Sequence, residues 1–280
     1  MRNLSRRTLT GIFLVIIVFG GLWLHPVSYL SIGLLLLAGS LYEYYRLIAA
    51  TGTEPQRNAG ILTAIIIYLI SVFVAAGMIE ALSYLLVMAA FLFIIIIELS
   101  RKKSKPFDSL AHTIFGIIFI SLPYSLIPFL AFGFNGTSTL LPGLFPDFSP
   151  GIMLGFLLLS WSFDIAAYLF GSYLGKHKLF KRISPEKSWE GFAFGLLTAL
   201  LIAWPVSIWI TEPGLLSWMI IALLISIAGT LGDLVESMLK RSAGVKDSGT
   251  ILPGHGGLLD RFDSLILSLP FVYLFVVLFC

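Results

Sequence analysis

Apolar runs long enough to cross a lipid bilayer follow one another along almost the whole of this 280-residue chain, separated by short polar connections. A hydrocarbon core about 30 Å thick needs roughly 20 mostly apolar residues per helical span. Inside it every backbone N–H and C=O must find its partner within the protein, which favours helices. Runs near residues 9–24, 27–45, 60–78, 81–98, 109–132, 151–175, 192–210, 216–240 and 263–279 meet that requirement. With 58% hydrophobic residues, 12% charged residues and a mean hydropathy of +0.97, little chain is left for a separate soluble domain. The expected fold is an all-α polytopic membrane protein of about nine transmembrane helices.

The basic residues test that count. Arg2, Arg6 and Arg7 precede the first run, and Arg46 and Arg57 flank the second connection. Arg101, Lys102, Lys103 and Lys105 follow the fourth run, while Lys176, Lys178, Lys181, Arg182 and Lys187 follow the sixth. Lys240, Arg241, Lys246 and Arg261 follow the eighth, which completes the 18 lysines and arginines. Nine spans put all of them on one side, and the opposite connections carry acidic or neutral groups such as Glu80, Asp147 and Glu212. Cytoplasmic loops are enriched in lysine and arginine, so the N-terminus is expected in the cytoplasm and the C-terminus on the opposite side.

Several other readings fall away. The basic start and the run from Leu9 to Leu24 resemble a secretory signal, but Trp23-Leu24-His25-Pro26 offers no small-residue cleavage site and a second apolar run begins at once. The single cysteine, Cys280, allows no intramolecular disulfide, and nothing resembles a zinc cluster. Asn135-Gly136-Thr137 matches a glycosylation triplet of a kind that arises often by chance. No internal repeat supports an inverted-repeat transporter. Charged groups crowd into and between the last four runs, so residues 1–150, about five helices, are expected to form a scaffold and residues 151–280, about four helices, to carry the chemistry.

Within that second half, Asp164 sits mid-span between Gly151 and Gly175, where an unpaired carboxylate costs on the order of 3 kcal/mol. Tyr168 and Gly171 share its helical face. Asp164 faces either a polar cavity or a neighbouring Ser or Tyr that satisfies it. Gly171-Ser172-Tyr173-Leu174-Gly175-Lys176-His177 is one residue too short for a P-loop and lacks the hydroxyl after the lysine. Gly151 with Gly155, Gly171 with Gly175, and Gly191 with Gly195 read better as small-residue faces for close helix approach or a homodimer. The connection Ser184-Pro185-Glu186-Lys187-Ser188-Trp189-Glu190-Gly191 mixes phosphate-compatible donors with two carboxylates, and it suits an interfacial anchor equally well.

In the eighth run Asp233, Glu236, Ser237 and Lys240 recur at spacings of three, four and seven and form one polar stripe. Two carboxylates ~6 Å apart repel by roughly 3 kcal/mol at an effective dielectric of 20, which a divalent cation or basic partners would relieve. A glycine-rich stretch follows, from Gly244 through Lys246, Asp247, Gly249, Pro253, His255, Gly256 and Gly257 to Asp260, Arg261 and Asp263. Glycines let backbone N–H groups approach phosphate oxygens, and lysine and arginine add charge. Oxygen-only ligands of this kind suit magnesium. His255 reads as a base, a phosphate donor or a structural loop residue.

The order Ser237, Lys240-Arg241, Lys246-Asp247, Gly249, Leu252-Pro253-Gly254-His255-Gly256-Gly257 and Asp260-Arg261-Phe262-Asp263 resembles the signature of the phosphatidate cytidylyltransferases, without departure over these 27 positions. Asp164, Ala167, Tyr168 and Gly171, and the segment from Ser184 to Gly191, are similar to further features of that family. The resemblance implies that CTP and phosphatidic acid give CDP-diacylglycerol and pyrophosphate with Mg2+, and that a second cation is an option. Catalytic roles are then expected of Asp164, Asp233, Lys240, Arg241, Lys246, Asp247, His255, Asp260, Arg261 and Asp263. Substrate contacts are expected of Ser184, Lys187, Glu190, Ser237, Gly249, Gly256 and Gly257, and metal ligation of Asp233, Asp260 and Asp263. The expected partners are CTP, phosphatidic acid and membrane lipids, without nucleic acid. The expected setting is a bacterial inner membrane with the site facing the cytoplasm. A CTP-dependent polyprenol-type lipid kinase and an ion or proton transporter are the rival classes.

Overall fold

A computed structural model describes residues 11, 15–132, 148–249 and 256–280. These residues divide into two compact units, one drawn from Met1–Pro150 and Ala243–Arg261, the other from Gly151–Ser242 and Phe262–Cys280.

The first unit contains helices α1 (Val15–Leu24), α2 (Pro26–Ala50), α3 (Arg57–Ala75), α4 (Leu85–Arg101) and α5 (Pro106–Gly116). A short 3-10 turn, Ala81–Tyr84, leads into α4, and α5 runs on through a wide turn at Ile117–Ser121 to Leu130. Pro123 has no N–H to continue the α-helical ladder there, which favours such a local widening. His25 starts α2 by accepting from the Val27 N–H at 3.1 Å on Nδ1, with Pro26 in the first turn where no donor is missed.

Buried tyrosines organise this unit. Tyr29, Tyr45 and Tyr68 donate to the carbonyls of Ile127, Thr113 and Leu30 at 2.9, 2.7 and 2.9 Å. Each pairing avoids the roughly 1–3 kcal/mol cost of a buried unsatisfied hydroxyl. Their rings occupy space left by glycine: a Cβ on Gly33 would meet Tyr68, and one on Gly60 would meet Tyr45. The buried Glu98 of α4 accepts from Gln56 at 2.6 Å and Arg101 at 2.8 Å, which ties α4 to the residue preceding α3.

The second unit contains α6 (Gly151–Leu174), a hairpin of β1 (Lys178–Phe180) and β2 (Ser184–Ser188), then α7 (Trp189–Trp209), α8 (Leu215–Ser242) and most of α9 (Leu259–Phe279). The strands are antiparallel, with Lys178 opposite Ser188, Phe180 opposite Ser184 and an irregularity between the pairs. Ser188 caps α7 by accepting from the Gly191 N–H at 3.1 Å. A Cβ on Gly191 would stand 2.6 Å from the Ala167 carbonyl oxygen and 3.0 Å from Gly171 Cα. One on Gly195 would press on Phe163, and one on Gly155 would overlap Trp218. The small-residue faces of α6 and α7 therefore serve close helix packing.

Eight helices among the described residues are long and apolar enough to cross a membrane, and Val15–Leu24 is a shorter apolar helix. The expected first run falls partly outside the described residues, as do Arg2, Arg6, Arg7, Asn135-Gly136-Thr137 and Asp147. Two local features depart from the sequence reading. The connection after α6 is a hairpin, because its polar residues need no apolar period and pair with each other instead. Helices α2 and α8 continue past their apolar windows, to Ala50 and Ser242, since polar residues such as Arg46 and Arg241 are good helix formers.

Gly191→Ala is expected to cost about 1–3 kcal/mol through overpacking against backbone, whereas Gly20→Ala, where nothing lies within 4 Å of the added carbon, should be neutral. Apparent melting temperatures in detergent check this, and equal values for the two variants would refute the packing account.

Candidate active site

Helix α8 presents the expected polar stripe, and the structure shows how its charges are met. Ser237 Oγ donates to Asp233 Oδ1 at 3.3 Å, one turn back. Lys240 forms an ion pair with the fully buried Glu236 four residues earlier. Lys187, projecting from β2, forms an ion pair with Asp233. The hairpin thus delivers a cation to α8 in a way that spacing along α8 alone does not reveal.

Asp263, just inside the second unit on α9, completes a group: one carboxylate oxygen each from Asp233, Glu236 and Asp263 lies within 4.8 Å of the others. Two backbone features hold it. Phe262 leaves helical geometry at φ −127°, ψ 16°, so α9 kinks immediately before Asp263. The lack of a side chain at Gly232 lets α8 approach the Asp263 carbonyl, which would stand 2.7 Å from a Cβ. The Ser264 N–H donates to Asp263 Oδ1 at 2.6 Å and orients the carboxylate. Asp164 lies within electrostatic range of Asp233, Asp263 and Lys187, and no described residue hydrogen-bonds it. Charged groups are therefore part of its surroundings. Tyr168, on the same face, is 73% exposed.

The three-carboxylate group fits a hard divalent cation in donor chemistry and in spacing. Magnesium–oxygen distances of about 2.0–2.1 Å place opposite ligands about 4.2 Å apart, a span compatible with oxygens that all lie within 4.8 Å of one another. Asp164, Asp233, Glu236 and Asp263 set four carboxyl groups against Lys187 and Lys240. Expectation and structure differ in one ligand: Glu236 stands in the group, and Asp260 belongs to the first unit.

In that first unit Asp260 accepts from the Ser248 N–H at 3.0 and 3.2 Å and from the Gly257 N–H at 2.8 Å. Gly256 adopts φ +85°, a conformation that side chains rarely take, with Asp260 3.0 Å from where its Cβ would be. A residue from α2 that the sequence reading passed over meets the same segment. Glu43, fully buried, accepts from Ser248 Oγ at 3.2 Å and from the Leu259 N–H at 2.8 Å. A lone acidic residue inside the apolar α2 was the available signal, of the same kind that drew attention to Asp164.

The remaining expected residues are dispersed. Lys246, Asp247 and Arg261 are exposed in the first unit and Arg241 in the second. Glu190 is occupied: it accepts from the N–H groups of Lys176 and His177 at 3.1 and 3.2 Å and contacts His177 Nδ1 at 2.6 Å, which fastens the end of α6 to the start of α7. Ser184 lies in β2. Gly249 and Gly257 are buried, and His255 lies outside the described residues. A cavity of about 640 Å³ elsewhere in the first unit, bordered by Arg46, Arg57 and Arg101, is lined by none of the expected site residues.

Comparison with known proteins gives this geometry its context. The profile of the cytidylyltransferase family matches residues 5–279. The chain is similar to a phosphatidate cytidylyltransferase of Bacillus subtilis (strain 168), 51% identical over 120 residues, which are 42% of this chain and 45% of that one. It is similar to another of Staphylococcus saprophyticus, 47% identical over 128 residues, or 45% of this chain and 48% of that protein. A third, from Staphylococcus aureus (strain COL), is 46% identical over the same length. The matched stretch spans about half the length of these curated relatives. The family match extends over nearly the whole sequence, and this chain belongs to the cytidylyltransferase family.

Proposed function

We infer that the protein transfers the cytidylyl group of CTP to phosphatidic acid, giving CDP-diacylglycerol and pyrophosphate. The observation that carries the reading is the group of Asp233, Glu236 and Asp263, flanked by Lys187 and Lys240, in a chain of this family. In the reaction an oxygen of the phosphatidate phosphate forms a bond to the α-phosphorus of CTP, and the bond from that phosphorus to the bridging oxygen of the β-phosphate breaks. The attacking oxygen is already anionic, so the protein's task is positioning and neutralising charge.

Asp233, Glu236 and Asp263 would hold magnesium, which supplies neutralisation of phosphate charge when bound. Lys187 and Lys240 keep the carboxylates from repelling one another and offer donors to phosphate oxygens. Asp164 extends the negative field. In the first unit, Asp260 and Glu43 take up the N–H groups of Ser248, Gly257 and Leu259 and so order the signature segment. Asp260 supports the reading as an organiser of that segment, and Lys246, Arg241 and Arg261 as counter-charges for phosphate. The one-sided distribution of lysines and arginines supports a cytoplasm-facing site, and the bacterial relatives support an inner-membrane setting. Residues 1–150 serve as scaffold in this reading, with Glu43 as their contribution to the signature segment.

Purified protein supplied with phosphatidic acid and CTP labelled at the α-phosphate should place label in the lipid and release pyrophosphate, with all turnover lost in EDTA and restored by Mg2+. Labelled CDP beside an unlabelled, phosphorylated lipid would instead establish kinase chemistry, and unlabelled lipid from folded protein would refute both. Asp233→Asn and Asp263→Asn should each lower kcat by about 100-fold or more, and turnover near wild type in both would remove this group from the site. Lys187→Met should lower kcat/KM for CTP by about tenfold or more, while unchanged kinetics would show that its ion pair with Asp233 is structural only.

A further inference from the structure

We propose that Glu43 is a positioning residue for the signature segment: its buried carboxylate clamps Ser248 to Leu259 and so fixes how these two parts of the segment lie against each other. The inference rests on the cytidylyl-transfer reading for its kinetic consequences, and on geometry alone for its structural ones.

A carboxylate with no exposed surface, in a helix otherwise lined by apolar residues, is costly unless donors meet it. Glu43 is met from the chain's distant second half. One oxygen, Oε2, accepts both the Ser248 hydroxyl and the Leu259 backbone N–H, so a single atom joins two residues of the glycine-rich stretch that are far apart along it. Ser248 is held a second time, through its own N–H, by Asp260. Two carboxylates, one from α2 and one from α9, thereby grip the same residue through different atoms.

The glycines beside this clamp gain a different explanation from phosphate binding. Gly249 and Gly257 both lie outside the left-handed region, in contrast to Gly256 at φ +85°. Backbone freedom is therefore not what requires glycine there. Close approach is: a Cβ on Gly249 would stand 2.6 Å from Glu43 Cδ, and one on Gly257 would stand 2.9 Å from the same atom. The two glycines let the chain close onto the carboxylate, and Glu43 and the glycines form one packing unit. Among the described residues Oε1 of Glu43 has no hydrogen-bond partner, and it lies beside Gly249, where a Cβ would meet it.

The test is a double-variant cycle on full-length protein in detergent, read with the labelled-CTP assay and with amide hydrogen exchange. With Glu43 in place, Gly249→Ala should lower kcat/KM for CTP by about tenfold or more, as expected for a misplaced binding segment. In the Glu43→Ala background, where the added carbon has room, the same change should cost no more than about twofold further. Glu43→Gln, which keeps the volume and one acceptor, should retain more activity than Glu43→Ala and should speed exchange at the Ser248 and Leu259 amides without changing exchange in α6 and α7. Losses that simply multiply in the cycle, or unchanged exchange at Ser248 and Leu259 in Glu43→Gln, would overturn the clamp. The exchange readout needs no turnover, so an inactive wild type would refute the proposed reaction while the clamp was still decided by exchange. If Glu43→Ala fails to fold, the exchange readout in Glu43→Gln decides by itself.

Discussion

An ionised carboxylate inside an apolar helical protein must be met by donors or cations, because leaving it alone costs several kcal/mol. This protein buries Glu43, Glu98 and Glu236, and each meets the requirement differently. Glu98 takes the amide of Gln56 and the guanidinium of Arg101, both close in space at the ends of α3 and α4. Glu236 takes Lys240 from its own helix. Glu43 takes a hydroxyl and a backbone N–H from the far end of the chain. The polar architecture of each unit follows from where these partners had to be brought.

Glycine makes those approaches feasible. Gly232 admits the Asp263 backbone to α8, Gly249 and Gly257 admit the signature segment to Glu43, and Gly191 admits α7 to α6. In each case the missing Cβ matters through distance and not through backbone freedom. Gly256 is the exception in this region, with a positive φ that a side chain would strain. The same residue type therefore answers two physical demands within two adjacent positions.

Much of the site was legible because helical periodicity is local. Asp233, Glu236, Ser237 and Lys240 had to share a face once the run was helical, and their mutual contacts follow. The three-carboxylate group was only partly legible. Asp260 and Asp263 look equivalent at a spacing of three, but the break at Phe262 separates their roles: Asp263 joins the acidic group, and Asp260 turns to the Ser248 and Gly257 amides. Lys187 was placed among the phosphate contacts, while its pairing with Asp233 depends on a hairpin that apolar periodicity does not register.

The sequence by itself determined the helical, membrane-spanning character of the chain, since each span's hydrogen bonds close within that span and its apolar length is a local property. It also determined which residue types are available for phosphate and cation chemistry. Tertiary structure decided which of them meet. Glu43 is 205 residues from Ser248 and 216 from Leu259, and no periodicity or spacing carries information over that distance. Such contacts come from packing, where backbone approach at glycine and the need to satisfy a buried charge select one arrangement among many with the same local pattern.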